Sequence, residues 1–187
     1  MNGYLLTPVI YLLTTLVTLY IVIIMLRVIF QFIQADFYNP FSQFVVKATA
    51  PLLTPMRRII PSIGRFDTAA IVLMLGLEAL LQSIIQVISG TYSLMFVLFM
   101  SAANLINILL YIFEFSIFIG VIASWVSPGV YNPMLNLVQA ISAPIMTPIR
   151  RWIPPFSGMD FSPMIAILLI EVSRMLLLPP FYALASA

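Results

Sequence analysis

The sequence predicts an all-α membrane protein with four transmembrane helices in two parallel internal repeats. Three observations support this fold class. Apolar residues make up 63% of the 187 residues and charged residues only 7%, whereas a soluble domain carries about 25% charged residues. Uncharged runs at 1–26 and 79–113 exceed the roughly 20 residues needed to cross a bilayer. A proline-rich basic segment occurs twice. The composition therefore excludes a soluble enzyme.

The four membrane helices are predicted, in chain order, at residues 5–33, 67–88, 94–126 and 161–181. A short polar turn from Ser89 to Ser93 separates the second helix from the third. The first and third helices are longer than one crossing needs, so we expect them to tilt or to extend beyond the membrane.

The segment that joins the first two helices is repeated between the last two. Half of the positions in 38–61 are identical in 131–154, and the same spacing maps Asp67 onto Asp160. We therefore predict two units, 1–93 and 94–187, each consisting of a helix, an interfacial segment (39–61 or 132–154) and a helix. Two crossings per unit make the duplication parallel rather than inverted.

The basic residues predict the orientation in the membrane. Six of them lie in the two long connections: Lys47, Arg57, Arg58, Arg65, Arg150 and Arg151. The positive-inside rule places these connections in the cytoplasm and both termini on the other side. The same residues are candidates for binding anionic lipid headgroups or a protein partner, and the alternative is that they only anchor the topology.

Each connection predicts an amphipathic interfacial helix. Asn39 and Asn132 are candidate caps, each followed by a proline that suits the first helical position. We expect Pro51 and Pro144 to interrupt these helices. A second short turn, carrying the arginine pair, would then begin at Thr54 and Thr147. Asp67 and Asp160 are expected to cap the second and fourth membrane helices.

This duplicated pattern resembles the bacterial YggT family. The resemblance rests on D-F-Y-N-P-F-S-Q-F-V-V-K…P-x-R-R-x-I-P…D at 36–67 and its second copy at 131–160. The family is related to YlmG proteins of Gram-positive bacteria and to chloroplast and cyanobacterial counterparts. The resemblance implies a multi-pass protein of the bacterial inner membrane. It links the chain to osmotic-stress tolerance, cell division and, in plastids, cytochrome b6 haem attachment and nucleoid distribution. It carries over no catalytic residue.

Five charged residues fall inside the predicted membrane helices: Arg27, Glu78, Glu114, Glu171 and Arg174. Such residues are costly in lipid and usually face a partner in the bundle interior. Similar depth along the helices predicts two pairs, Arg27 with Glu78 and Glu114 with Arg174. Glu171 would then bond to Arg174 or share Arg27. Ion pairs that fix helix docking are one interpretation, and a proton or cation path is the other.

Polar residues also recur at helical spacing. The sets are Thr7, Tyr11, Thr14 and Thr18 on the first helix, Glu78, Gln82 and Gln86 on the second, and Asn104, Asn107, Tyr111 and Glu114 on the third. Each set lies on one helix face. Interhelical hydrogen bonding is the simpler interpretation, and a water-filled path is the alternative.

The sequence alone predicts a membrane protein with a duplicated basic face, and the family resemblance implies a non-enzymatic factor that uses this face in envelope maintenance, stress tolerance or cell division. With no histidine and no cysteine, we expect no metal site and no haem or other cofactor. A net charge of +2 does not point to nucleic acid. The expected partners are membrane lipids and a cytoplasmic or membrane protein. The alternative is a small ion or proton channel, which would need a homo-oligomer, and a weaker one is an assembly factor for membrane proteins or cytochromes.

Overall fold

A computed structural model describes residues 3–64, 66–126, 132–153 and 160–186, and these ranges contain six α-helices and no β-strand. The helices are α1 (Gly3–Phe32), α2 (Pro40–Ile59), α3 (Thr68–Ser89), α4 (Leu94–Val126), α5 (Pro133–Trp152) and α6 (Ser162–Ala185). Four of them, α1, α3, α4 and α6, are long and apolar enough to cross a membrane. The all-α class and the four apolar helices agree with the sequence prediction.

The helices α2 and α5 run without a break through two prolines each, so the expected interruption is wrong. Pro51 and Pro55 lie inside α2, and Pro144 and Pro148 lie inside α5. Each proline removes one backbone hydrogen bond. The spacing of four puts both losses on one helix face. All four prolines are exposed, so the carbonyls that lose a partner lie on the outer side of the helix.

Side chains cap the N-termini of the helices largely as expected. Asn39 Oδ1 accepts a hydrogen bond from Phe41 N, and Asn132 Oδ1 accepts one from Met134 N. Asp67 caps α3 by accepting from Ala70 N. The cap position of α6 is Phe161 rather than Asp160. Asp160 lies one residue earlier, yet its Oδ1 still accepts from Ser162 N at 2.9 Å.

The turn between α3 and α4 falls where the sequence predicts it. Gly90 ends α3 with φ of 75°, a left-handed conformation that glycine adopts without strain. The Oε1 atom of Gln86 accepts a hydrogen bond from Ser93 N at 2.9 Å and fixes the start of α4. The two apolar helices therefore reverse direction within a few residues.

The shorter helices bury one side against the long ones. In α2 the buried residues recur every three or four positions: Ser42, Val45, Thr49 and Leu53. In α5 they are Leu137, the adjacent Ile141 and Ser142, and Met146, one turn apart. One core cluster joins α1, α2 and α3 and includes Leu137 and Ile141 of α5. A second cluster joins α4, α5 and α6 around Ile117 and Ala166. The four long helices keep many large apolar side chains exposed, such as Leu16, Leu80, Phe115 and Leu176.

The starts of α2 and α5 lie side by side. The Nδ2 atom of Asn39 donates a hydrogen bond to the carbonyl of Pro133 at 2.8 Å. Asn39 is buried, so this bond is protected from competition by water. One capping residue therefore closes its own helix and also holds the equivalent helix of the other half.

Candidate functional site

The last turns of α2 and α5 carry the two arginine pairs, Arg57–Arg58 and Arg150–Arg151. Cations are favourable at this end of a helix because the helix dipole is negative there. Both pairs lie beside the start of the following long helix. We refer to these two helix ends, together with Lys47, as the basic face.

The first arginine of each pair is bound to an aspartate. Arg57 makes an ion pair with Asp67, with its Nε 3.4 Å from Oδ1. The Nε of Arg150 lies 3.0 Å from Oδ2 of Asp160. The sequence predicts these aspartates only as helix caps. The repeated ten-residue spacing between arginine and aspartate was the signal that could have revealed the pairs.

The second arginine of each pair remains available. Arg58 and Arg151 are exposed and have no ion pair or hydrogen-bond partner within the described residues. The next residue is a large apolar one in both helices, Ile59 at 83% exposure and Trp152 at 88%. Lys47 is exposed as well. Arg65, the remaining predicted member of the basic face, lies outside the described residues.

The Asp160 carboxylate is held in its charged form. Burial alone would raise its pKa, but hydrogen bonds from Ser162 and from Arg150 outweigh that cost, so the pKa of Asp160 lies below its ordinary value of 3.8. A lowered pKa contributes stability above the unfolded value, and this contribution is lost as the pH falls through the folded pKa. The Arg150 ion pair therefore persists throughout the neutral range.

An ionic cluster joins α4 to α6 as the sequence predicts. The Nη2 of Arg174 lies 2.6 Å from Oε2 of Glu114, and its Nη1 is paired with Glu171 one turn away. The guanidinium also lies over the ring of Tyr111, 4.0 Å from its centroid, a cation–π contact. One guanidinium thus serves two carboxylates and an aromatic ring, and docks α6 onto α4.

The expected pair of Arg27 with Glu78 is wrong. Arg27 donates instead to the carbonyl of Val46, at 3.1 Å, and to the hydroxyl of Thr49. Glu78 Oε1 accepts from Gln82 Nε2 at 3.0 Å and from Asn104 Nδ2 at 2.6 Å. Arg27 points from α1 towards α2, whereas Glu78 points from α3 towards α4. The depth of a residue along its helix does not predict towards which neighbouring helix its side chain points, so depth alone could not identify these partners.

The polar residues that recur at helical spacing agree with the prediction only in part. Asn104 of α4 makes the expected interhelical bond to Glu78. Within the part of the chain that the structure describes, two buried oxygens nearby on these helices, Glu78 Oε2 and Asn107 Oδ1, have no partner. On α1, Tyr11 is 70% exposed and does not lie in the bundle interior as expected. Across the described ranges no three acidic side chains gather as metal ligands would.

The fold and the interior charges define a multi-pass helical membrane protein. Four apolar helices expose large hydrophobic side chains to their surroundings, and the two shorter helices carry the basic face. The chain belongs to the CCB3/YggT family. The model of that family matches residues 6–98 and again residues 99–181.

Curated relatives match over most of their length. An uncharacterised protein of Pseudomonas aeruginosa is 43% identical over 176 residues, which is 92% of this chain and 89% of the relative. The uncharacterised protein YggT of Escherichia coli K12 is 39% identical over 169 residues, or 88% and 86% of the two chains. A Haemophilus influenzae protein, also named uncharacterised, is 31% identical over 83% of each chain. No solved structure matches.

Proposed function

We propose that the protein is a non-enzymatic factor of the bacterial inner membrane whose basic face binds anionic lipid headgroups. The observation that carries this proposal is the exposed, unpaired arginine beside an exposed apolar residue, found at the ends of both α2 and α5. A cation next to Ile59 or Trp152 suits the membrane interface, where the ring or alkyl group enters the acyl region and the guanidinium meets phosphate.

The same face is also suited to an acidic protein partner. Lipid is favoured because an exposed tryptophan next to an arginine, such as Trp152 at 88% exposure beside Arg151, is typical of residues at the membrane interface. Each basic side chain near an anionic surface contributes about 1 kcal/mol. The family resemblance supports the proposal that this role belongs to envelope maintenance, osmotic-stress tolerance or cell division.

We further propose that the chain is a parallel duplication with both termini outside the cytoplasm, and that α2 and α5 are amphipathic helices of the interface. The two successive matches of the family model, to 6–98 and 99–181, support the duplication. The hydrogen bond from Asn39 to Pro133 supports a common side for the two basic helices, because it brings their starts together.

A test of headgroup binding uses Trp152 as its reporter. The chain has two tryptophans, so Trp125→Phe leaves Trp152 alone beside Arg151. In reconstituted vesicles, brominated phosphatidylglycerol should quench Trp152 more strongly than brominated phosphatidylcholine at equal content. Arg151→Gln should reduce this preference by roughly fivefold, the equivalent of about 1 kcal/mol.

The matched control for this measurement is Arg150→Gln. Its guanidinium already binds Asp160, so its loss should change the preference much less. Equal quenching by the two lipids in the Trp125→Phe protein would contradict headgroup binding.

A small oligomeric ion or proton channel is the second candidate. The observation in its favour is Glu78, a carboxylate 2% exposed between α3 and α4 whose Oε2 has no partner among the described residues. Buried carboxylates in membrane helices mark ion and proton paths in other proteins. A channel would carry ions or protons across the membrane of vesicles that contain the protein, whereas headgroup binding requires no such flux.

A further inference from the structure

We propose that a phosphate group, free or in a lipid headgroup, binds in a cleft between the end of α1 and the start of α2, with Arg27 and Ser42 as its ligands. The cleft has a volume of about 180 Å³ and is lined by Arg27, Gln31, Ser42 and Arg57, with Phe30 and Phe37 as apolar walls. It is separate from the exposed Arg58 and Arg151, so the inference does not depend on the proposed function.

The charges in this cleft do not balance. Arg57 is neutralised by Asp67. Arg27 binds only neutral oxygens, the carbonyl of Val46 and the hydroxyl of Thr49, and no carboxylate pairs with it in the described part of the chain. A guanidinium carries five N–H donors, and both recorded bonds use Nη1. The cleft therefore keeps one uncompensated positive charge, which favours an anion supplied from outside the chain.

A second, independent feature points to the same ligand. Ser42 is only 3% exposed, and its Oγ has no hydrogen-bond partner within the described residues. Buried hydroxyl groups are nearly always bonded. Ser42 lies in the first turn of α2, whose backbone N–H groups make this end of the helix positive. An anionic oxygen in the cleft would accept the hydroxyl proton and lie in that field.

The other half of the chain lacks this arrangement. At the spacing of the repeat, Gly120 stands in place of Arg27 and Leu135 in place of Ser42, whereas Arg150 matches Arg57. The second half thus retains the basic helix end but neither proposed ligand. We therefore expect a single phosphate site per chain.

The apolar part of the lining favours a phosphate ester as well as inorganic phosphate. The rings of Phe30 and Phe37 form part of the wall, and a phospholipid presents a charged phosphate joined to apolar acyl chains. Both ligands offer the same tetrahedral oxygens to Arg27 and Ser42, so the experiment must separate the two sources.

Calorimetric titration of the full chain in a non-ionic detergent tests the site. The probes are inorganic phosphate, dihexanoyl phosphatidylglycerol and dihexanoyl phosphatidylcholine. For inorganic phosphate we expect saturable binding of one equivalent per chain. Arg27→Gln should weaken it by roughly tenfold, and Ser42→Ala by roughly threefold. Met175→Leu should leave it unchanged, because Met175 is an exposed residue of α6 that belongs neither to the cleft nor to the basic face.

The probes identify the source of the anion. Binding of inorganic phosphate with this pattern of variants assigns a free anion, and binding of the lipids alone assigns a headgroup. Ser42→Ala removes one oxygen atom and leaves the helix intact, so it remains decisive if Arg27→Gln does not fold. The inference is overturned if no probe saturates, or if Ser42→Ala binds as tightly as the unaltered protein. Trp152 quenching reports on Arg151 separately, so the two proposals fail independently.

Discussion

Arg174→Met should lower the free energy of unfolding by roughly 3 kcal/mol, the lower end of the cost of removing one partner from a buried ion pair, because this pair is only partly buried. Arg174 holds Glu114 and Glu171 and covers the ring of Tyr111. Its loss leaves two carboxylates inside the helix bundle without a cation. Glu171 lies one turn from Arg174 on the same membrane helix and its side chain is 39% exposed, so without Arg174 this carboxylate would face lipid without a cation. Unfolding by SDS titration from mixed micelles measures the change.

The double variant Glu114→Gln/Arg174→Met separates pairing from packing. If the pair exists, the double variant should lose less stability than the sum of the two single variants. Met175→Leu is the control for a change on the same helix, since Met175 is exposed and its replacement should have little effect. A double variant that loses as much stability as the sum of the two single variants would show that the pair contributes nothing.

Asp67→Ala should cost roughly 2 to 3 kcal/mol. Asp67 is 1% exposed, caps α3 through Ala70 N and neutralises Arg57. Its removal therefore opens a helix start and leaves a half-buried guanidinium without a partner. The shift of the thermal unfolding midpoint in detergent gives the magnitude.

The chain supplies its own matched control in Asp160→Ala. Asp160 occupies the equivalent position, but its side chain is 29% exposed and that of Arg150 is 55% exposed. Its loss should cost roughly 1 kcal/mol or less, as for exposed ion pairs. Equal losses for the two variants would contradict the view that burial makes the first pair stronger than the second.

Composition and turn residues are sufficient to predict the four long helices of this chain. The α3 and α4 helices begin and end within about a residue of the predicted bounds, because Asp67, Gly90 and the Ser89–Ser93 turn act locally. The capping asparagines are predicted for the same reason. The α6 helix extends to Ala185 through Pro179 and Pro180, four residues beyond the predicted end.

Interactions that depend on the direction in which a side chain points are harder to predict from the sequence. The predicted pair of Glu114 with Arg174 is present because α4 and α6, which carry the two residues, pack directly against each other. Arg27 with Glu78 is wrong because α2 lies against α1 and takes the guanidinium. The sequence does not predict a continuous helix through Pro51 and Pro55. Each proline removes one backbone hydrogen bond, and the helix tolerates this because both missing bonds lie on its exposed face, which only the packing of α2 determines. The Arg57–Asp67 ion pair connects α2 to α3, a contact between helices that local rules do not describe.

The central claim is that the basic ends of α2 and α5 emerge together on the cytoplasmic side of the membrane. The chain has no cysteine, so single cysteines can be labelled without background. Arg58→Cys and Arg151→Cys replace exposed side chains of the basic face, and Thr91→Cys marks the exposed turn between α3 and α4. In intact spheroplasts, a membrane-impermeant maleimide should label only the cysteine at position 91. Both basic-face positions should react after the membrane is permeabilised. Labelling of either position 58 or position 151 in intact spheroplasts would contradict the account.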